Sequence, residues 1–164
     1  MITQEHLKSI LDYNPDTGIF TWINPNKYSQ QKFGDKAGSV DGKGYIHIRI
    51  DGGRYKAHRL AWIYMYGIEP KDQIDHINNI KTDNRICNLR ECNNQQNCFN
   101  KKLQKNNKSG VKGVSWNKQL NKWIAYLNVN KKKKFIGLFD DIELAELVMY
   151  EARIKYHGNF AKSV

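Results

Sequence analysis

The chain has 164 residues, of which 40 % are hydrophobic, and it carries a formal net charge of +11 from 27 basic and 16 acidic residues. That length suffices for one compact domain or two very small ones, and the apolar fraction is too high for a disordered chain. No stretch approaches the roughly 20 apolar residues of a membrane span, and the N-terminus lacks the layout of a signal peptide, so we expect a cytoplasmic protein without a membrane partner.

Residues 1–56 predict a short helix followed by β-structure. Apolar residues at helical spacing favour a helix over residues 4–12. A turn then leads to a short strand over residues 19–22. Three alternating isoleucines predict a strand over residues 45–50, which a glycine turn joins to a second strand over residues 54–56.

Residues 57–102 predict a helix, a short strand, a long polar loop and a second helix. The first helix spans residues 57–66 and is closed by Gly67. The strand is placed at residues 73–74, and the second helix begins at about Asn93.

The rest of the chain predicts a three-stranded sheet backed by one helix. A polar and basic run over residues 103–109 has the composition of a linker. Three short strands and the turns between them follow, with strands at 114–116, 122–129 and 134–138 and turns at 117–121 and 130–133. Asp140 is the expected N-cap of the final helix, which ends at Gly158.

The excess positive charge is concentrated in one segment. From Cys92 to Phe139 there is no Asp, Glu or Arg, and the same stretch holds eleven lysines. A polyanion is the simplest partner for such a segment. A solvated charged face normally mixes both signs, and a membrane-binding helix would need an apolar face that this segment lacks.

Three cysteines, Cys87, Cys92 and Cys98, lie within twelve residues. An odd number cannot pair completely, and an intracellular chain keeps its thiols reduced. Structural zinc prefers four ligands in closely spaced pairs, which these spacings do not provide. A structural zinc ion is therefore not expected, although a site completed by a nearby histidine stays open.

One cluster of polar residues has the composition of a metal-dependent hydrolytic site. Asp75 offers a hard oxygen ligand, and the adjacent His76 offers a base that titrates near neutral pH. Asn88 follows His76 by twelve positions, and Asn97 follows Asp75 by twenty-two. A hairpin followed by the predicted helix would bring Asp75 and Asn97 together around one cation.

The order of these residues resembles the HNH motif of phage and intron-encoded endonucleases. The resembling segments are Asp75-His76-Ile77-Asn78, Lys81-Thr82-Asp83-Asn84-Arg85, Asn88-Leu89-Arg90 and Gln96-Asn97, preceded by Tyr55-Lys56-Ala57-His58-Arg59-Leu60-Ala61-Trp62 and Asp16-Thr17-Gly18-Ile19-Phe20-Thr21-Trp22. This resemblance implies a ββα-metal fold, in which two strands and one helix surround a single ion.

The same resemblance implies a role for each residue of the cluster. His76 would be the general base that takes a proton from the attacking water. Asp75 and Asn97 would bind the metal, and Asn88 would brace the loop that aims His76. The expected ion is Mg²⁺, with Mn²⁺ as a substitute, because attack on a phosphodiester needs a cation that offsets the phosphate charge.

The C-terminal residues resemble a second family, the Apetala-two DNA-binding domain of plant ethylene-response factors. The resembling residues are Ser109-Gly110-Val111-Lys112-Gly113-Val114-Ser115-Trp116, Lys122-Trp123-Ile124-Ala125 and Phe135-Ile136-Gly137-Leu138-Phe139-Asp140, followed by Glu143, Ala145, Tyr150, Ala152, Lys155, His157 and Gly158. In that family the sheet enters the major groove of DNA.

This second resemblance implies a set of DNA-binding residues. By position, Lys112, Trp116, Asn128 and Lys133 would face DNA. Five further lysines would meet phosphates: Lys118, Lys122, Lys131, Lys132 and Lys134. For Trp116, packing beneath the helix is an equal alternative. Lysine lacks the bidentate fork of arginine, so we expect affinity more than sequence discrimination.

These patterns predict an α+β protein with two domains. The nuclease domain would span residues 1–102, with a β-rich lead-in over 1–56 and a catalytic core over 57–102. A linker over residues 103–109 would lead to the DNA-binding domain over 110–164, a small antiparallel sheet packed on one helix.

The predicted function is that of a DNA endonuclease of phage or homing type, acting on double-stranded DNA. One catalytic cluster per chain favours a monomer that nicks a single strand, while a dimer stays open. Two alternatives belong to other classes: a non-catalytic DNA-binding regulator on a nuclease scaffold, and an RNA-binding accessory protein, which a block of lysines alone also permits.

Overall fold

The computed structural model describes residues 2–28, 30–100, 103 and 106–161. The chain divides into two compact units, Met1–Cys92 and Asn93–Val164. Residues 101–102, 104–105 and 162–164, which include parts of the predicted nuclease domain, linker and DNA-binding domain, lie outside the described residues. None of the described helices is long and apolar enough to cross a membrane.

The first unit begins with a helix that turns directly into a strand. Helix α1, Gln4–Ile10, is capped by the Thr3 side chain, which accepts a hydrogen bond from the His6 backbone. Strand β1, Leu11–Asn14, then pairs antiparallel with β2, Ile19–Trp22. The predicted helix over residues 4–12 was therefore wrong at its last two positions, because Leu11 pairs with Trp22 and is fully buried.

A three-stranded sheet follows, in the order β3-β4-β5. Its strands are β3, Ser39–Val40, β4, Ile46–Ile50, and β5, Gly53–Lys56. The alternation predicted for β4 is confirmed, since Ile48 and Ile50 are buried while Arg49 between them is exposed. The sheet thus has one face on the core and one toward solvent.

Helix α2, Ala57–Tyr66, follows β5 directly and matches its predicted bounds. It ends at Gly67, whose left-handed backbone stops the helix without the strain that a side chain would bring. The buried side of α2 joins one continuous core with α1 and the strands, including Leu7, Phe20, Ile48 and Leu60.

The first unit ends in a hairpin. Strand β6, Gln73–His76, pairs antiparallel with β7, Leu89–Cys92, and a short 3₁₀ turn at Ile86–Asn88 precedes β7. β6 extends two residues beyond the predicted strand at 73–74, because the pairing continues through His76 and Leu89.

The second unit is a sheet backed by a helix, as predicted. Helix α3, Asn94–Asn100, comes first. The sheet has the order β8-β9-β10, with strands β8, Val114–Asn117, β9, Lys122–Val129, and β10, Lys132–Phe139. Helix α4, Ile142–His157, covers one face and ends at Gly158. Ala125, Leu127, Ala145 and Met149 form part of the core between helix and sheet.

Two local predictions in this unit were wrong. The turn between β9 and β10 is limited to Asn130 and Lys131, which both have positive φ, so that Lys132 already belongs to the strand. The N-cap of α4 is Asp141 rather than Asp140, because the Asp141 side chain accepts a hydrogen bond from the backbone of Glu143 at 2.8 Å.

Gly18 is a point where the lead-in touches the loop that precedes β7. Its φ is +71°, and an added Cβ would lie 2.4 Å from the Arg85 nitrogen. Gly18→Ala is therefore expected to destabilise the first unit by about 1–3 kcal/mol more than Gly52→Ala. Gly52 is a matched control because its φ is +77° but no atom lies within 4 Å of the added Cβ. Urea unfolding of both variants measures the difference, and equal losses would contradict the close contact.

Candidate active site

Two predicted catalytic residues lie side by side on the β6–β7 hairpin. The antiparallel register sets Asp75 opposite Arg90 and His76 opposite Leu89. Asp75 and His76 are buried, with 6 % and 5 % of their surfaces exposed. Buried polar groups need hydrogen-bonding partners, and the neighbouring residues supply them.

Arg90 is the partner of Asp75. Its Nε and Nη2 atoms both donate to Oδ2 of Asp75, at 3.0 Å and 2.8 Å. Because the two residues are directly opposite in the hairpin, strand register alone brings them together. Two charge-assisted hydrogen bonds fix the orientation of the carboxylate.

Asn84 is the partner of His76. Its Oδ1 atom lies 3.1 Å from Nε2 of the imidazole, and Asn84 is only 1 % exposed. The lead-in holds Asn84 in place, since the Tyr13 hydroxyl donates to the Asn84 carbonyl at 2.7 Å. An amide oxygen can only accept, so Nε2 carries the proton and the lone pair of the neutral ring falls on Nδ1.

Two further rings pack against His76. The His58 ring centroid lies 5.0 Å from that of His76 with the planes at 88°, and the Tyr45 centroid lies at 6.1 Å. Burial lowers the pKa of His76 and outweighs the hydrogen bond that the ring donates to Asn84, which raises that pKa. Burial is also the main reason why the pKa of His58 falls to about 3. Both imidazoles are therefore neutral at neutral pH, which general-base action by His76 requires.

Asn88 ties together the loop that follows β6. Its side-chain oxygen accepts from the Asn78 backbone at 3.0 Å, and its amide donates to the Asp83 carbonyl at 2.8 Å. Arg85 donates two hydrogen bonds to Asp83 and lowers its pKa to about 2. These bonds hold the loop at both ends, an arrangement that suits a bracing role for Asn88.

The last predicted residue of the cluster lies in the other unit. Asn97 is on α3, and its backbone donates to the Asn93 carbonyl at 3.0 Å. Asp75 belongs to the first unit and Asn97 to the second. Along the chain β6, β7 and α3 follow in the order that a ββα-metal fold requires, and the joint binding of an ion by Asp75 and Asn97 stays a prediction.

The chemistry of the two predicted ligands fits a hard divalent ion. Carboxylate and amide oxygens are the donors that Mg²⁺ prefers. Within the part of the chain that the structure describes, no three His, Cys, Asp or Glu side chains are grouped so that they could hold a metal. Cys92 is buried, which raises its pKa to about 11, so its thiol is poorly suited to ligate as a thiolate.

The outer face of the second unit's sheet, defined here as Tyr126, Asn128, Lys133 and Phe135, is a candidate nucleic-acid interface. Lys133 pairs with Asn128 and Phe135 with Tyr126, on the side away from α4. Phe135 is 53 % exposed. The Lys133 ammonium lies 4.0 Å from the Tyr126 ring centroid, a cation–π contact. An exposed ring and a half-buried ring beside a cation suit binding to a nucleic acid.

Trp116 does not share this face with Asn128 and Lys133. It pairs with Trp123, which packs against the core beneath α4, and the two rings lie 5.1 Å apart. Because strand side chains alternate, Trp116 projects from the α4 side of β8. Trp116 remains 45 % exposed, so its predicted contact with DNA and the alternative of packing beneath the helix both stay predictions.

Three of the predicted DNA-binding lysines donate hydrogen bonds within the second unit. Nζ of Lys112 donates to the Phe99 carbonyl at 3.0 Å. Nζ of Lys122 donates to the Asp140 carboxylate at 2.9 Å, and Nζ of Lys134 donates to the Tyr156 hydroxyl at 2.7 Å. Lys132 shares the α4 side of β10 with Lys134, while Lys118 and Lys131 lie in turns. The predicted lysines thus surround the sheet rather than line one face.

Sequence reasoning assigned no role to Asn84, Arg90 or Tyr45. Arg90 was within reach of the sequence, because a hairpin that pairs His76 with Leu89 must pair Asp75 with Arg90. Asn84 carried a weaker signal, as an amide in a polar loop. Tyr45 and His58 meet His76 only through the tertiary fold, which no local pattern reveals.

Comparison with known proteins agrees with this geometry. Residues 55–98 match the family described as HNH endonuclease, a segment that contains β6, β7 and the loop between them. Protein 3.8 of Escherichia phage T7 is 33 % identical over 112 residues, which cover 66 % of this chain and 92 % of that protein. No solved structure matches the chain.

Residues 55–98 thus form a domain of the HNH endonuclease type, a class of nuclease that acts on DNA and typically uses a divalent metal ion. The chain belongs to the same family as phage T7 Protein 3.8. The matched segment ends at residue 98, so the resemblance of residues 109–160 to the Apetala-two domain stays a prediction.

Proposed function

We propose that this protein is a metal-dependent endonuclease that hydrolyses phosphodiester bonds in double-stranded DNA. The observation that carries the proposal is the state of His76, a buried imidazole that is neutral at neutral pH, oriented by Asn84 and adjacent to Asp75. It lies within the segment that matches the HNH endonuclease family. One such cluster per chain supports a monomer that nicks one strand.

His76 acts in this proposal as the general base. Asn84 holds the proton on Nε2, which leaves Nδ1 as the atom that removes a proton from the attacking water. His58 and Tyr45 pack against the ring and limit its rotation. Asn88 acts indirectly, because it fixes the loop whose Asn84 orients the base.

Asp75 and Asn97 are the residues proposed to hold the metal ion. A bound Mg²⁺, or Mn²⁺ in its place, supplies positive charge that stabilises the phosphorane-like transition state and the leaving oxyanion. Arg90 fixes the direction of the Asp75 carboxylate. Asn97 contributes a neutral oxygen, so the pair leaves a divalent ion with net positive charge.

The second unit is proposed to act as a DNA-binding module of the Apetala-two type. The outer face offers two rings, an amide and a cation to the DNA, and surrounding lysines meet the phosphates. The proposed boundaries are residues 1–102 for the nuclease domain, 103–109 for the linker and 110–164 for the module. By holding DNA, the module raises the effective concentration of substrate at the nuclease.

DNA affinity is expected to fall steeply with salt, because each neutralised phosphate releases condensed counterions. With six or more phosphate contacts, affinity drops by about 10³-fold or more between 50 mM and 200 mM salt. Fluorescence anisotropy with a labelled duplex, in the absence of metal, measures DNA affinity at each salt concentration. A flat response over that range would contradict an electrostatic DNA-binding module.

A plasmid relaxation assay tests the proposed function. Wild-type protein with Mg²⁺ is expected to convert supercoiled plasmid to open circles, and chelation is expected to stop the reaction. A mixed-sequence DNA library, assayed in parallel, guards against a plasmid that lacks a required site. If neither substrate is cut with Mg²⁺ or Mn²⁺ although the protein binds both, the chain is a DNA-binding protein without nuclease activity.

A further inference from the structure

One face of the β4–β5 hairpin carries three exposed basic side chains at its paired positions, and the fourth position is His47, which is bound to Asp41. Ile48 and Ile50 point to the core, so alternation turns Arg49 on β4 and both Arg54 and Lys56 on β5 to the opposite side. Arg49 and Arg54 are directly opposite each other in the register, and both are exposed.

A directly opposed pair of arginines is unfavourable by itself, because like charges in cross-strand positions repel. Among the described residues, neither Arg49 nor Arg54 forms an ion pair. The nearby carboxylate of Asp51 is bound to His6. The repulsion is therefore not relieved within the described part of the unit, and it favours an anion from outside.

The same basic surface extends toward His76. The ammonium groups of Lys56 and Lys81 lie 4.8 Å and 4.7 Å from the centroid of the Tyr45 ring. That ring in turn packs against His76, at 6.1 Å between centroids. Lys81 also donates to the Lys43 carbonyl at 2.8 Å, which holds its ammonium on this side of the unit. Two cations thus converge on a ring that contacts the proposed general base.

We propose that Arg49, Arg54, Lys56 and Lys81, here called the basic track, bind phosphates of the DNA strand that passes His76. The inference rests on the proposed nuclease function for the identity of the polyanion. Like-facing residues of a strand are about 7 Å apart, and arginine forks suit phosphate oxygens. The track is a second phosphate-binding surface, in the first unit and independent of the lysine-rich sheet.

The test uses the full chain and a fluorescent DNA duplex without metal, so that binding is measured apart from cleavage. The double variant Arg49→Gln with Arg54→Gln is expected to reduce the slope of log affinity against log salt by about 2, since each phosphate contact contributes about 0.9. Lys56→Gln with Lys81→Gln is expected to give a similar reduction.

The matched control is Lys32→Gln with Lys36→Gln, which removes the same charge from two exposed lysines of the first unit outside the hairpin face. Its slope is expected to change by less than about 0.5. Equal reductions in the arginine variant and the control would overturn the proposal, because net charge alone would then explain the effect.

Thermal unfolding gives a second, independent readout. Removing an opposed arginine pair relieves repulsion, so the Arg49→Gln, Arg54→Gln variant is expected to unfold at the same temperature as wild type or higher. A lower Tm together with weaker binding would mean that the arginines act through the fold, and it would overturn the track.

The two proposals can fail separately. A reduced slope in the track variants with no plasmid cleavage by wild type would retain the phosphate contacts and reject the nuclease. Plasmid cleavage by wild type with an unchanged slope in the variants would retain the nuclease and reject the track.

Discussion

His76→Ala is expected to lower the rate of DNA nicking by about 10²–10⁴-fold, the range typical for loss of a general base. The imidazole is neutral because it is buried, and Asn84 directs which nitrogen takes the proton. Alanine removes the base but none of the charged side chains of the basic track or the outer face. Single-turnover relaxation of supercoiled plasmid measures the rate, and anisotropy checks that DNA affinity stays within about 3-fold of wild type.

His6→Ala is the matched control, because it removes an imidazole from an exposed position of the same unit and leaves the β6–β7 hairpin untouched. Its nicking rate is expected to equal that of wild type. If His76→Ala retains the wild-type rate, His76 is not the base and the assignment of the active site fails. A loss of both rate and affinity would indicate misfolding, which circular dichroism of the variant detects.

Asn97→Ala separates the metal ligand from the base. Loss of one ligand weakens metal binding, so higher Mg²⁺ concentrations are expected to restore part of the rate in this variant. No Mg²⁺ concentration restores His76→Ala, because the missing group is the proton acceptor. Mg²⁺ titrations of both variants show the contrast, and identical titration curves would argue against Asn97 as a ligand.

The sequence correctly predicted those helices and strands for which several local signals indicate the same structure. Helix α2 was placed correctly because its apolar periodicity ends at a glycine that adopts the left-handed conformation. The sheet of the second unit was predicted because turn residues punctuate three runs of strand-forming residues. In both regions propensity, pattern and turn chemistry point to the same structure.

Prediction failed where a long-range contact overrides local spacing. Leu11 continues the helical pattern of α1, yet its pairing with Trp22 places it in a strand. The environment of His76 shows the same limit, because its partners come from residues 45, 58 and 84. Burial in the tertiary fold lowers the pKa values of His58 and His76. The sequence identifies the base by type and spacing, whereas the groups that tune it depend on the tertiary structure.

The two basic surfaces differ in how visible they are in the sequence. The lysine block lies within one continuous segment, so composition reveals it directly. The basic track combines two neighbouring strands with Lys81 of a distant loop, and its arginines become an opposed pair only through the register of the β4–β5 hairpin. The sequence places these residues near one another in part, but it does not show that they share one surface.

His58 is expected to make the first unit lose stability in acid. The residue is 5 % exposed, and within the described part of the chain its Nδ1 atom has no hydrogen-bonding partner. Burial lowers its pKa to about 3 from the ordinary value of 6.5. Between these values the unfolded chain binds a proton that the folded unit rejects, so unfolding is favoured as pH falls through 6.5 toward 3. The loss from this residue reaches about 1.4 kcal/mol per pH unit.

His58→Phe keeps a ring at this position and removes both the titrating group and the unpaired nitrogen. The free energy of unfolding at pH 7 is expected to rise by about 1–3 kcal/mol, and the acid-dependent loss is expected to be shallower than in wild type between pH 6 and pH 4. Some loss of stability in acid is expected to persist in this variant, because the pKa of His76 is lowered as well. Urea titrations at several pH values, with hydrogen exchange in α2 reporting on the first unit, measure both effects. The exposed control His6→Phe should keep the wild-type slope, and an equally steep slope in His58→Phe would show that this imidazole does not drive the acid sensitivity.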